Sequence, residues 1–229
     1  NHKTRAVLLF TLVVAFSVLI FGGVRINENK PPIPEQIVSA QGQVLASGAD
    51  IIEGQKLYLS RGGQHMGSVW GHGAYLAPDW SADALHRIAW VSAATLKGLS
   101  AEQVGAFDQN SLNQLEPGER GKIEAQVKSE LKLNRYNPSS HNLTLSESQS
   151  AALKILQIYY TDLFSNGNRS MAIPAGTIKN AEEGRLLTAF FFWTAWAAVT
   201  NRPGEEYSYT ANWPFDPLAG NAPLPSALV

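Results

Sequence analysis

The stretch Arg185–Val199 reads RLLTAFFFWTAWAAV, and it decides the fold class. From Leu186 to Val199 it holds fourteen consecutive uncharged residues. A helix needs about 20 apolar residues to cross a bilayer, so this run is too short to span a membrane. It predicts the buried core helix of a helical domain, with a helix lying against a membrane partner as the alternative. Asn180 and Glu183, just before it, are typical of a helix start.

Further helix signals lie on the N-terminal side of this run. They are capping side chains, acidic first turns and a first-turn proline. The predicted starts are Asp50 for residues 50–60, Ser81 (with Asp83) for residues 81–96, the capping boxes Ser100/Gln103 and Thr144/Glu147, and Pro117 for residues 117–132. Strand patterns are sparse. We therefore expect a mainly α fold.

A second uncharged run lies near the N-terminus, where Ala6–Val24 reads AVLLFTLVVAFSVLIFGGV. As a helix these residues would span about 28 Å, close to the hydrocarbon thickness of a bilayer. The run predicts a transmembrane anchor. The competing interpretation is a cleaved signal peptide with Val38-Ser39-Ala40 as its small-residue site. Both place the chain from residue 31 onward on the extracytoplasmic side.

Composition shifts divide the chain into four expected parts. Residues 1–30 form the anchor, and the prolines of PPIP at 31–34 end its helix. Residues 31–49 are expected to be a stalk or linker, and 50–200 a helical domain. The tail at 201–229 is rich in Gly and Pro, which indicates an extended segment.

Composition also excludes several functions. The 229 residues include 18 Lys plus Arg, 19 Asp plus Glu and no Cys. Near-neutral charge argues against a nucleic-acid partner. Without Cys the chain can form no disulfide, thiolate zinc site, Cys-ligated iron–sulfur cluster or covalently attached c-type haem. No Walker A, G-x-S-x-G or H-E-x-x-H motif occurs.

The residues with the clearest chemical potential lie in a glycine-rich stretch, GGQHMGSVWGHGAY at 62–75. His65 and His72 are seven residues apart, and imidazoles are common metal ligands. A third convergent ligand is not evident nearby. The alternative is an ordered loop in which both histidines make ordinary hydrogen bonds, the glycines allowing close approach of the backbone to a partner.

Three segments resemble one family. Residues 62–80 (GGQHMGSVWGHGAYLAPDW), 81–87 (SADALHR) and 201–215 (NRPGEEYSYTANWPF) resemble the N-terminal region of quinol-dependent nitric oxide reductases, in the haem–copper oxidase superfamily. The resemblance implies one transmembrane helix followed by a cytochrome c-like helical domain lacking haem. The anchor, stalk and domain layout agrees with this over the whole chain.

The resemblance also assigns roles to single residues. Residues 61–65 would stand where the haem-attachment motif stands in haem-bearing relatives, with Arg61 and Gln64 replacing its two cysteines. His65 and Met171 would be relics of the proximal and distal haem ligands. This chain alone would then bind no cofactor. Gly73 and Tyr75 would contribute to a calcium site at the boundary with the catalytic part, although the loop before Gly71 is two residues longer than in relatives.

The complete enzyme implied by the resemblance is a denitrification oxidoreductase that converts two NO to N2O and water with electrons from quinol. Its b-type haems and non-haem iron would be held by a catalytic membrane-helix bundle, with calcium nearby. This chain would cap the periplasmic face of that bundle from the cytoplasmic membrane. Residues 223–229 would approach the next membrane helix. Five tryptophans would be core or interface anchors: Trp70, Trp80, Trp193, Trp196 and Trp213.

Two other functions stay open from the sequence. One is the same region of an NO dismutase-like relative, which only the distant metal site would distinguish. The other is a freestanding membrane-anchored binding domain without an enzyme partner. Whether the reading frame continues past Val229 into hydrophobic helices would separate this last case from the reductase.

Overall fold

A computed structural model describes residues 2–223, without the side chains of Gln64 and Ala101. The chain divides into two compact units, and the boundary in the sequence lies between Pro32 and Ile33. The predicted fold class is confirmed: one long apolar helix is followed by a mainly helical unit with four short strands.

The first unit is helix α1, His2–Asn29. None of its residues is buried, and its apolar side chains are exposed from end to end. Its 28 residues and their composition are sufficient to cross a membrane. The predicted apolar helix is thus confirmed as a candidate membrane anchor.

The second unit contains seven helices and four strands among the described residues. These are β1 (Gln36–Val38), β2 (Val44–Ser47), α2 (Gly48–Ser60), α3 (Trp80–Leu96), α4 (Ala101–Val104), α5 (Gln109–Asn113), α6 (Pro117–Lys132), β3 (Tyr136–Asn137), β4 (Asn142–Thr144), α7 (Glu147–Asn166) and α8 (Ala181–Val199). Two 3-10 turns, Gly63–Met66 and Arg169–Met171, precede α3 and α8.

The strands form one small sheet in the order β2-β1-β4-β3. Strand β1 is antiparallel to β2 and parallel to β4, where Ile37 lies opposite Leu143. Both of these side chains are buried. Residues 36–47, expected to be part of a linker, therefore belong to the sheet of the second unit, because β1 gains its partner from a segment about a hundred residues later.

Helix α8 is the centre of the helical part, where it packs against α2, α3 and α7. Every residue from Leu187 to Val199 is buried, so the predicted core helix is confirmed. At the crossing with α2, the Cα of Gly54 lies against the backbone of Leu186, and a Cβ there would lie on the Leu186 carbonyl oxygen. Glycine is what allows these two helices to approach so closely.

Two helix starts differ from their predicted residues. Helix α2 is capped by Ser47 rather than Asp50. Asp50 is the third residue of the helix and completes the capping box, because its carboxylate accepts from the Ser47 N–H (2.7 Å). Helix α3 begins at Trp80 with Asp79 as its N-cap, one residue before the predicted start at Ser81. In both cases a capping side chain precedes the one that the sequence pattern favours.

The predicted start of α7 is also wrong. Thr144 pairs within strand β4, and the capping box is formed by Ser146 and Gln149 two residues later. The other predicted starts are confirmed. They are the Ser100/Gln103 box of α4, the first-turn Pro117 of α6 and the Asn180 cap of α8.

The segment after α8 is not extended as its composition predicts, since its described part, residues 201–223, folds into turns that pack on the helices. The side chain of Asn221 is fully buried and donates to the carbonyl oxygens of Ala198 (3.0 Å) and Pro214 (2.7 Å). Leu218 is buried as well. The predicted approach to a second membrane helix is at 223–229, of which 224–229 lie outside the described residues.

An ion pair between α2 and α8 predicts how stability depends on pH. Arg185 donates to Asp50 Oδ1 (2.9 Å), and this hydrogen bond is the main reason why the pKa of Asp50 falls from 3.8 to about 2. The lowered pKa stabilises the fold above pH 4, and this contribution is lost as pH falls towards 2. It amounts to about 2 kcal/mol. We expect the free energy of unfolding to fall less between pH 4 and 2 in Asp50→Asn than in the wild type. Urea unfolding in detergent micelles measures this difference.

The control for that experiment is Glu53→Gln, since Glu53 is exposed and pairs with Lys56 on its own helix. It should follow the wild type between pH 2 and 6. Equal pH slopes for Asp50→Asn and the wild type would show that the ion pair with Arg185 contributes nothing to folding.

Candidate functional site

Most of the sequence-predicted site residues lie in one connection, residues 61–79, which joins α2 to α3 and is called the 61–79 loop below. It contains His65, His72, Gly73 and Tyr75. Met171 lies elsewhere, in the 3-10 turn between α7 and α8, and is partly buried against the core.

The loop begins with an ion pair. Arg61, the C-cap of α2, donates from Nη2 to both carboxylate oxygens of Glu183 at 3.1 Å each. Glu183 lies in the first turn of α8, and its Oε2 also accepts from the backbone N–H of Lys179 (2.8 Å). Arg61 thus ties the end of α2 to the start of α8.

The inner side of the loop is sealed by aromatic packing. Trp80 is fully buried, and its indole stacks on Phe191 with ring centroids 5.4 Å apart and an interplanar angle of 18°. The rings of Tyr160 and Phe164 complete this cluster. The Trp80 Nε1–H donates to the carbonyl oxygen of Met66 (2.6 Å), which holds the start of the loop on the core.

The residues present do not fit a bound haem. A haem iron needs an axial ligand that faces an apolar slot. His65 is exposed, and the neighbouring side chain of Met66 is buried against the core in its place. Stacked aromatic rings, not an open slot, lie on the inner side of the loop.

Asp79 organises the loop. Its carboxylate is buried and accepts four hydrogen bonds. Oδ2 accepts from Ser68 Oγ (2.7 Å) and the Gly71 N–H (2.7 Å), and Oδ1 accepts from Ser81 Oγ (2.5 Å) and the Ala82 N–H (3.0 Å). One side chain thus caps α3 and closes the loop on itself.

The glycines allow this closure. Gly67 has φ +106°, and a Cβ there would lie on the Pro78 carbonyl oxygen and 2.6 Å from Trp80 Nε1. Gly73, with φ +81°, donates its N–H to Ser68 Oγ (2.7 Å). Residues other than glycine rarely adopt either of these backbone conformations. The glycine-rich pattern therefore encodes an ordered turn.

Tyr58 fixes the same loop from helix α2. Its hydroxyl donates to the Gly67 carbonyl oxygen (2.7 Å). Burial of the ring raises the Tyr58 pKa to about 12, so the phenol stays protonated and remains a donor across the physiological pH range.

The two histidines of the loop lie at its surface. Both His65 and His72 are exposed, and the His72 ring packs on Trp213 with centroids 5.0 Å apart. Within residues 2–223, no three His, Cys, Asp or Glu side chains are grouped in a way that could hold a metal ion. The pair therefore gains no third carboxylate or imidazole ligand from the described part of the chain.

The outer tip of the loop is apolar and open. Tyr75 is fully exposed and Leu76 is 56% exposed, whereas the neighbouring Ala77 and Asp79 are buried. A hydrogen-bonded base thus presents an exposed aromatic side chain beside an exposed leucine.

The five predicted tryptophan anchors divide into two groups. Trp80, Trp193 and Trp196 are buried in the core. Trp70 and Trp213 are partly buried and hold the loop from two sides: their indole N–H groups donate to the carbonyl oxygens of Thr194 and Gly71, each at 2.9 Å.

Sequence reasoning missed Asp79 and Ser68 as the residues that organise the loop. A signal for Asp79 exists, since an Asp directly before a helical pattern is a typical N-cap. Ser68 carries no comparable signal. Its role arises only because the chain folds back to place it beside Asp79.

Comparison with protein-family models matches residues 34–215 to the cytochrome c-like domain of the nitric oxide reductase protein NorB. The match begins before β1 and ends after Trp213, so it contains the whole 61–79 loop. A search of curated proteins found no match.

Proposed function

Since the chain belongs to the NorB family of nitric oxide reductases, through its cytochrome c-like domain, we propose that it is the non-catalytic N-terminal part of a quinol-dependent nitric oxide reductase. The complete enzyme would convert 2 NO, two electrons and two protons to N2O and water. The haems and iron for that reaction would lie in a membrane-helix bundle of the same enzyme. The domain would cap the periplasmic face of that bundle, held at the cytoplasmic membrane by α1.

The cysteine content of this chain supports the proposed electron route. Covalent attachment of a c-type haem requires cysteine thiols, and the sequence contains none. At the corresponding position, Arg61 is instead paired with Glu183. Electrons would therefore pass from quinol to the haems of the bundle without a relay in this domain. His65 and Met171 would be remnants of haem ligands that no longer serve that purpose.

The capping role rests on one observation, the fully exposed Tyr75 at the tip of an otherwise hydrogen-bonded loop. Aromatic side chains that project from rigid loops are typical anchors of interfaces. Exposed Leu76 extends the same apolar tip. We therefore assign the tip as the part of the domain that contacts the catalytic bundle.

The tip would also contribute to a calcium site shared with the bundle. Calcium takes six to eight oxygen ligands. Gly73 can offer a backbone carbonyl and Tyr75 an oxygen atom, but Asp79, the sole carboxylate of the 61–79 loop, is already engaged by four donors. This chain would therefore supply only part of the ligand set, and the catalytic part would complete it.

Substitutions at Tyr75 test this assignment in the complete reductase. Tyr75→Ala should lower calcium retention about ten-fold and loosen the loop, because both the ring and the phenol oxygen are lost; a ten-fold loss corresponds to about 1.4 kcal/mol. Tyr75→Phe should lower calcium content but keep the ring contact. Metal analysis of the purified enzyme and hydrogen exchange of residues 61–79 measure the two effects separately.

The matched control is Ile158→Ala, which removes another exposed apolar side chain, on α7 (72% exposed). It should change neither calcium content nor exchange in the loop. If Tyr75→Ala behaves like Ile158→Ala in both measurements, the tip is not the docking element and the calcium assignment fails.

A further inference from the structure

A cavity of about 460 Å³ lies away from the 61–79 loop, between α3, α7 and the α4–α5 connection. Its size is within the usual range for small-molecule sites. Aliphatic side chains such as Val104 and Ile155 form part of its lining. The cavity is called the α3–α7 cavity below, and nothing in the proposed capping role uses it.

Flat π surfaces line much of this cavity. Trp90 and Phe107 have ring centroids 6.1 Å apart, and His86 meets Trp90 edge-on at 6.0 Å. Arg87, also on α3, has its guanidinium 3.4 Å from the centroid of the Tyr159 ring on α7, so that its planar group covers the tyrosine. Such walls favour a planar ring that can stack or meet them edge-on.

The charged and titratable side chains of the cavity already have hydrogen-bond partners. Arg87 Nε donates to Asp83 Oδ2 (3.0 Å), and His86 Nδ1 lies 2.8 Å from Asp216 Oδ2. The Asp108 carboxylate at the rim accepts from the Ser111 N–H and hydroxyl, each at 2.9 Å.

This charge pattern disfavours ionic ligands. Arg87 is paired with Asp83, so an anion meets no unpaired cation at that side chain. Asp108 keeps its charge, but it is exposed at the rim and screened by water. An anion or a cation would also lose its hydration among apolar side chains. An uncharged ligand avoids this cost.

We propose that the α3–α7 cavity is a binding site for an uncharged, planar aromatic compound of two or three fused rings. The ring system would lie against Trp90 and the Arg87–Tyr159 pair, with its edge against the aliphatic lining. A single polar group on the ligand, such as a hydroxyl, would face the polar rim at Asp108. The cavity and the docking tip share no residues, so the experiment on one proposal can fail while the other proposal stands.

Fluorine NMR of the full chain in detergent micelles, labelled with 5-fluorotryptophan, tests the proposal. The Trp90 signal is assigned by Trp90→Phe. Titration with 2-naphthol should shift this signal saturably and leave the Trp213 signal in place. The same titration with 2-naphthoate, an anion of similar size and shape, should give binding at least ten-fold weaker.

Val104→Trp, which fills the cavity, should abolish the saturable shift, whereas Ile158→Trp, which adds a tryptophan outside the cavity on α7, should not. An unchanged Trp80 signal would verify that each variant keeps the core. If Val104→Trp disturbs that signal, Ile155→Phe is the second filling variant. Unsaturable shifts, equal shifts at Trp213, shifts that persist in a folded filled variant, or equal affinity for 2-naphthoate would each overturn the proposal.

Discussion

Gly54→Val is expected to lower the free energy of unfolding by about 3 kcal/mol, the upper part of the usual range for overpacked cores. The reason is the crossing of α2 with α8, where a Cβ at position 54 would lie on the carbonyl oxygen of Leu186 and 2.9 Å from Phe190 Cβ. Backbone atoms cannot move aside as a flexible side chain can. The helices must therefore separate, and that weakens the contact between α2 and the central helix. Urea unfolding followed by near-ultraviolet circular dichroism measures the change.

Gly121→Ala is the matched control, since Gly121 also lies inside a helix, α6, but has open space around it. Alanine is the better helix former, so this variant should be more stable by about 0.5–1 kcal/mol. Opposite signs for the two glycine substitutions are the expected result. If Gly54→Val were as stable as the wild type, the close crossing of α2 and α8 would be wrong.

Asp79→Ala is also expected to lower the free energy of unfolding by about 3 kcal/mol. It removes the N-cap of α3, which is worth about 1 kcal/mol, and leaves buried donors from Ser68, Ser81 and Gly71 without their acceptor. Because Asp79 closes the loop, the backbone N–H groups of residues 71 and 82 should also exchange with solvent faster. Denaturant unfolding and hydrogen exchange measure both effects in the same sample.

Asp108→Ala provides the comparison, because Asp108 is likewise an N-cap but lies exposed at the start of the short helix α5. Asp108→Ala should lower the free energy of unfolding much less than Asp79→Ala. It should leave backbone hydrogen exchange in the 61–79 loop unchanged. Equal losses for the two aspartates would mean that Asp79 acts only as a helix cap and does not organise the loop.

The fold class was predictable because it depends on local runs of apolar residues. The uncharged run at 186–199 is too short to span a membrane, and this favours a buried helix. The length of the run at 6–24 favours a membrane-spanning apolar helix. The short strands were not predictable. Strand β1 has three residues and lies between β2 and β4, and β4 is a distant partner that no local pattern reveals.

The same distinction between local and distant contacts applies to the candidate site. Its glycines indicate an ordered turn, because their backbone conformations are a local requirement. The closure by Asp79 depends on how the loop folds back, and the contact of His72 with Trp213 joins residues 141 positions apart. Such contacts also explain why the segment after α8 packs on the helices although its composition is that of an extended chain.

The central claim is that electrons reach the catalytic haems from quinol without a relay in this domain. The most direct test is steady-state NO reduction by the complete reductase with a reduced quinol and, separately, with a reduced soluble cytochrome c. The account predicts turnover with quinol that clearly exceeds turnover with cytochrome c. Faster turnover with cytochrome c than with quinol would contradict it.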